Sequence, residues 1–198
     1  MSGPTPIITD RSYGIIALRY LPIICLSPDV TSPSPLPIPL KPTTSNTQVL
    51  LIHQKTLRPS SEWTWCLPKG HAEPDDTSVV HTAVRELQEE TSIVVGKEHV
   101  LNFGTSEEPN EDTAFTETYV HPTRRPGKEV KYWIALVPRQ QGEKALQVQE
   151  KEVAGYKWCS WTEAKELIKF EEGKEVISKA GNALDRRGSF VAGINYRW

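Results

Sequence analysis

The residues that invite chemistry lie in the stretch RELQEE, Arg85 to Glu90. Glu86, Glu89 and Glu90 stand at spacings i, i+3 and i+4. On a helix turning 100° per residue they fall within one arc of about 100°, and Val80, Ala83, Val84 and Leu87 fall on an adjacent arc of similar width. The apolar arc would pack on a sheet, leaving the acidic arc at the edge of the core. That arrangement is costly. Like charges at i, i+4 destabilise a helix by roughly 0.2–0.5 kcal/mol per pair, and a helix C-terminus is the unfavourable end for anions. After Arg85 no lysine or arginine follows before Lys97, so positive charge from elsewhere is expected to offset the cluster.

A run of like charges is most often a solvated face. Two neighbouring features point further. The preceding loop, LPKGHAEP, holds a Pro-Lys-Gly turn at 68–70, whose glycine lets the backbone approach a ligand closely. The helix then runs directly into SIVV. A loop and a carboxylate-bearing helix converging on one place suit a metal–phosphate site, because Mg²⁺ takes one or two carboxylates together with phosphate oxygens and water.

These residues need a scaffold. YGIIALRYL (13–21), IIC (23–25), QVLLIHQ (48–54), VLNFG (100–104), AFTETYV (114–120), VKYWIALVP (130–138) and YKWCSW (156–161) are rich in branched and aromatic residues and read as strands. A helix is expected over 77–91. A second, over 162–171, would begin at an S-x-x-E capping box of Ser160 and Glu163, and a weaker third over 174–184. Residues 1–11 read as a loose terminus, 58–76 as mostly loop, 121–128 as a turn and 185–198 as a tail. Residues 27–46 hold six prolines, which cannot donate to a ladder, so they read as a loop insertion. The expectation is one α/β (α+β) domain over 12–184, a mixed β-sheet packed between helices.

Composition narrows the function classes. The 23 basic and 25 acidic side chains leave a net charge of −2, which argues against broad nucleic-acid or membrane-surface binding. Cys25, Cys66 and Cys159 are odd in number and widely spaced, which suits free thiols in a reducing compartment rather than a disulfide framework or a zinc site. No apolar run approaches a membrane span, and no signal peptide is evident. The expectation is a cytosolic or nuclear monomer.

The segment GHAEPDDTSVVHTAVRELQEETSI (70–93) resembles the Nudix box, G-x5-E-x7-R-E-U-x-E-E-x-G-U with U aliphatic, the signature of hydrolases of nucleoside diphosphates linked to another moiety. Gly70, Arg85, Glu86, Leu87, Glu89, Glu90 and Ile93 match. The 14 residues between Gly70 and Arg85 are one more than the pattern allows. Its first Glu therefore falls on Thr77 counted back from Arg85, or on Asp76 counted forward from Gly70, and Asp75 or Asp76 is expected to replace it. Ser92 stands where the pattern has glycine. SYGIIALR (12–19), Trp65 with PKGH (68–71), Tyr119, VKYW (130–133) and EVAGYKWCSWTEA (152–164) are similar to the asymmetrical diadenosine tetraphosphate hydrolases within that family.

The resemblance implies a Nudix fold and Mg²⁺ or Mn²⁺ held by Glu86, Glu89, Glu90, the Gly70 carbonyl and Glu152, which otherwise reads as part of an ordinary charge run. Glu86 would act as general base, with Glu152 as the competing choice. Arg85 would orient a glutamate, and Lys69 would touch phosphate. Tyr119 and Tyr132 are candidates to stack on a purine, although an alternating strand buries many tyrosines. Arg124, Arg125 and Lys128 would hold distal phosphates or simply form a solvated turn. The five histidines show no metal-ligand spacing. The reaction expected is hydrolysis of diadenosine tetraphosphate to ATP and AMP, with no stable nucleic-acid complex. The alternatives are an inositol pyrophosphate or RNA-cap substrate, or a degenerate domain that binds without catalysis.

Overall fold

The computed structural model describes residues 7–21, 41–55, 63–119, 127–142, 146–149 and 151–187. A seven-stranded mixed sheet is built from β1 (Ile8–Tyr20), β2 (Thr47–Lys55), β3 (Trp63–Cys66), β4 (Lys69–Gly70), β5 (Phe115–Tyr119), β6 (Gly127–Leu136) and β7 (Val153–Cys159). The helices are α1 (Val79–Thr91), the short α2 (Arg139–Gly142), α3 (Trp161–Leu167) and α4 (Glu171–Arg187).

β1 is the axis of the sheet. From Ser12 to Leu18 every residue is buried, as a strand covered on both faces requires. Ile16 and Leu18 join a core shared with α3 and α4, while Tyr13, Ile15 and Ala17 join a second core that includes Val80, Ala83 and Leu87 of α1. One edge of β1 pairs in parallel with β6, and the other is divided between β4 at Tyr13 and Gly14 and β2 from Leu18 to Tyr20. β2 likewise pairs with β7 along one edge and with β1 and then β3 along the other. β1 and β2 thus part company, and the chain from β3 to β4 occupies the fork. Gly14 permits this close approach, because a Cβ there would lie 2.3 Å from the Pro68 carbonyl oxygen.

The expected mixed sheet between helices is therefore found, with local corrections. The terminus expected to be loose contributes residues 8–11 to β1, where polar side chains break the apolar signal but β6 supplies backbone partners. The presumed loop 58–76 contains β3 and β4. Residues 100–104 form no strand. Only Val100 makes an isolated bridge, to Ala135, because its neighbours lie beside a sheet edge too short to extend the ladder. At α3, Ser160 accepts from the Glu163 N–H at 3.1 Å, but the Glu163 carboxylate turns to Lys157, so only half of the capping box forms. The proline-rich insertion lies outside the described residues except for 41–46, and the tail lies outside them except for the last turn of α4.

Candidate active site

α1 starts at Ser78, whose hydroxyl accepts from the His81 N–H at 3.1 Å. It buries Val80, Ala83 and Leu87, as the apolar arc requires. It ends at Ser92, the one non-glycine residue with positive φ among those described, at φ 61°. The Ser92 N–H closes the helix on the Gln88 carbonyl at 2.7 Å. Its hydroxyl donates to the Gln147 carbonyl at 2.8 Å. The turn usually given to glycine is thus made by serine and held by a side-chain bond.

The three glutamates meet three environments. Glu89 is half-exposed, with Arg85 Nη1 at 3.0 Å from its Oε2. Glu86 is largely covered and lies against the Gly70 backbone. A Cβ built on Gly70 would sit 2.1 Å from Glu86 Oε2, so glycine is required for this carboxylate to reach the loop. Glu90 is only 2% exposed. Its Oε2 accepts the Lys69 backbone N–H at 2.9 Å and its Oε1 accepts from Gln54 Nε2 at 2.8 Å. The positive charge expected from outside the helix is the Lys69 side chain, delivered by the β3–β4 fork.

Burial pushes the Glu90 carboxyl up to about 8 despite Lys69, with the charges of Glu86 and Glu152 adding to the rise. Burial also raises Glu86, against the pull of Arg85. Burial works against the Lys69 ammonium, but Cys66, Glu90, Glu117 and Glu86 together hold its pKa above the ordinary value. The site is a desolvated anionic cluster in which every charge feels the others. Glu152 itself is exposed, at the mouth of β7, and its backbone carbonyl accepts from the Lys55 N–H at 3.0 Å.

Asp76, six residues after Gly70 as the box pattern places its first glutamate, is held against Arg85, and the extra residue falls between the two. Arg85 Nε donates to its Oδ1 at 3.1 Å and Nη2 to its Oδ2 at 3.0 Å. Thr82 adds a third bond at 2.9 Å. The guanidinium holds the Asp76 carboxyl far below the usual range. Arg85 also reaches the His71 carbonyl at 2.7 Å and Glu86 Oε1 at 3.0 Å. Of the two aspartates considered, Asp76 takes the supporting position and Asp75 is exposed.

The remaining candidates differ in what they can offer a ligand. Tyr132 is 1% exposed, and its hydroxyl donates to Glu117 Oε1 at 2.8 Å. A ring so enclosed has no face to offer a base, which corrects the stacking expectation for Tyr132. Tyr119 is half-buried at the end of β5, edge-on to Phe170 with centroids 6.0 Å apart. Lys128 pairs with Asp10 at 3.4 Å. Arg124 and Arg125 lie outside the described residues. Sequence reasoning missed Gln54 and Glu117. Both are polar side chains in a buried register, Gln54 following Leu50 and Ile52 on one face of β2, and that alternation was the available signal.

Among the described residues, no three His, Cys, Asp or Glu side chains converge tightly enough to cage an ion. The donor set nevertheless fits a hard divalent cation. It consists of carboxylate oxygens, and Glu86 lies in the cradle that a Gly70 side chain would fill.

A model of the NUDIX domain matches residues 40–180. The chain belongs to the Nudix family. The chain is 36% identical, over 120 residues, to the asymmetrical bis(5'-nucleosyl)-tetraphosphatase of Rattus norvegicus, covering 61% of this chain and 71% of that protein. A shorter match, 58% identical over 33 residues, is to the mitochondrial coenzyme A diphosphatase NUDT8 of Mus musculus, covering 17% of this chain and 16% of that one. Solved structures share the fold. A C. elegans Ap4A hydrolase binary complex has a TM-score of 0.53 at 22% identity, covering 94% of this chain and all of that one. The NUDIX domain of Shewanella oneidensis NrtR, complexed with ADP ribose, has a TM-score of 0.57 at 17% identity, covering 88% of each. This Nudix protein is a hydrolase of pyrophosphate bonds. Among its described residues no helix is long and apolar enough to cross a membrane.

Proposed function

We propose that this Nudix protein cleaves dinucleoside polyphosphates, converting diadenosine tetraphosphate to ATP and AMP. The observation that carries the reading is the packing of the Glu86 carboxylate on Gly70 beside Lys69 and the buried Glu90. The choice of substrate draws on the similarity to the rat tetraphosphatase.

Glu86, Glu89, Glu90, Glu152 and the Gly70 backbone would hold Mg²⁺ or Mn²⁺. When bound, such a cation neutralises phosphate charge and favours attack by water. Glu86 accepts the proton of the attacking water, and burial raises its proton affinity toward what a base needs. The water oxygen bonds to phosphorus as a bridging P–O bond breaks, and the leaving nucleotide carries away the bridging oxygen. Lys69 faces the phosphate chain, and Arg85 fixes the direction of Glu86. Tyr119, with Phe170 at its edge and 38% exposed, supplies a surface on which a purine stacks, and Lys128 lies opposite Tyr119 in the β5–β6 ladder. The protein acts as a monomer on a small nucleotide.

The departures from the box pattern that would favour binding without catalysis are Thr77 and Ser92. Asp76 takes over the support of Arg85, and Ser92 still makes the helix-ending turn, so neither departure disables the cluster. The test is product analysis with Mg²⁺ or Mn²⁺ on diadenosine tetraphosphate, an inositol pyrophosphate and a capped RNA. The reading expects ATP and AMP from the first at the highest kcat/KM. Preferred cleavage of either other substrate would replace it.

A further inference from the structure

Gln54 stands at the end of β2 with each end of its amide engaged. Its Nε2 donates to Glu90 Oε1 at 2.8 Å, and its Oε1 accepts from Lys69 Nζ at 2.9 Å. The same oxygen receives the Cys66 thiol at 3.4 Å. The Lys69 backbone N–H meanwhile donates to the other oxygen of Glu90, at 2.9 Å. Main chain and side chain of one lysine thus flank one buried carboxylate, and a neutral amide separates the ammonium from it. Among the described residues no ion pair joins Lys69 to Glu90.

A buried ammonium beside a buried carboxylate gains most by closing on it, since opposite charges attract strongly where water is excluded. A closed pair would spend both groups on each other. We infer that Gln54 is a positioning residue that holds the Lys69 ammonium off Glu90, keeping the carboxylate available to a divalent cation and the ammonium available to phosphate. An amide suits this task because it offers a donor to the anion and an acceptor to the cation while carrying no charge. A glutamate would repel Glu90, and an apolar side chain would leave both partners unsatisfied.

This inference rests on the hydrolase reading of the same site, and the test separates the two. Binding of Mn²⁺ alone is measured by the electron paramagnetic resonance of the free ion for the wild type, Glu90→Gln, Gln54→Met, Lys69→Met and the double variant Gln54→Met with Lys69→Met. Gln54→Met is expected to weaken Mn²⁺ binding roughly 10- to 100-fold, the usual cost of losing a group that orients a metal ligand. Removing Lys69 as well should restore the affinity to within about threefold of Lys69→Met alone, because no ammonium is left to capture Glu90. A residue that merely filled space would give no such restoration. If the double variant binds as weakly as Gln54→Met, the inference is overturned. It is overturned alone if Glu90→Gln weakens Mn²⁺ binding and Gln54→Met does not. If the wild type binds no Mn²⁺, or Glu90→Gln leaves binding unchanged, the metal reading falls and the inference with it. Should Gln54→Met fail to fold, Gln54→Asn, one methylene too short to span both partners, carries the same expected loss and the same restoration.

Discussion

Asp76 clasps Arg85 through both carboxylate oxygens, at 3.1 and 3.0 Å. The Asp76 side chain is 5% exposed. Breaking a buried charge pair by removing one partner costs roughly 3–5 kcal/mol, because the other charge is left without its counterpart. Asp76→Ala is therefore expected to lose stability on that scale, reduced where Glu86 and Glu89 keep part of the Arg85 fork. Asp75→Ala, at an exposed position, should stay within about 0.5 kcal/mol of wild type. Urea midpoints of the two variants check this. Equal midpoints would contradict the assignment of Asp76 to the vacant box position.

The same pair sets a pH dependence. The Asp76 carboxyl is held well below its ordinary value by the Arg85 hydrogen bonds. A carboxyl with a depressed folded pKa contributes stability that is fully present above its unfolded pKa of about 3.9, and that is lost as pH falls toward the folded value. The stability difference between wild type and Asp76→Asn should therefore be constant from pH 7 down to about 5 and shrink below about 4. A difference that grew on acidification would have the wrong sign for this pair.

Ser92 tests the helix end. The left-handed conformation costs a non-glycine residue roughly 1–2 kcal/mol, whereas a hydroxyl hydrogen bond contributes about 0.5–1.5 kcal/mol. The two nearly cancel. Ser92→Gly should then change stability by less than about 1 kcal/mol. Ser92→Ala keeps the strain and loses the bond to Gln147, so it should be the less stable of the two. Thermal melts that rank alanine above glycine would contradict the turn described.

Gly70 separates folding from chemistry. The three atoms nearest to an added methyl all belong to the carboxylate end of the flexible Glu86 side chain, which can give way where backbone could not. Gly70→Ala should fold with near-normal stability. Displacing a reacting group by about 1 Å costs on the order of 10²-fold in rate, so kcat should fall on that scale. Circular dichroism and steady-state kinetics of this one variant give both readings, and wild-type turnover would show that Glu86 need not touch the loop.

The legibility of these features in sequence follows their physics. The α1 face was readable because Val80, Ala83 and Leu87 repeat at helical spacing, and the buried strands because they are runs of branched and aromatic residues. The strand at 8–11 was not, since a parallel partner, Gly127–Glu129, supplies its ladder bonds while the side chains after Ile8 are polar. β3 and β4 were hidden by their brevity and by the prolines and glycine around them. Within the site, the carboxylates announced themselves through their spacing. Gln54 signalled only a buried register, because its contacts come from the fork that brings Lys69 beside it, a relation between residues distant in the chain. Tyr132 shows the converse, since its strand position allowed either a ligand contact or the core, and only packing decides.

The proposed asymmetric hydrolysis of diadenosine tetraphosphate is placed on the Glu86–Glu90 cluster at the Gly70 loop. Its most direct test is single-turnover cleavage of diadenosine tetraphosphate with Mg²⁺ by the wild type and Glu86→Gln, with ATP and AMP quantified. Loss of a general base costs roughly 10²–10⁴-fold. ATP and AMP are expected in equal amounts from the wild type, with a loss of that order in the variant. Two molecules of ADP as product, or a Glu86→Gln rate within a few-fold of wild type, would contradict it.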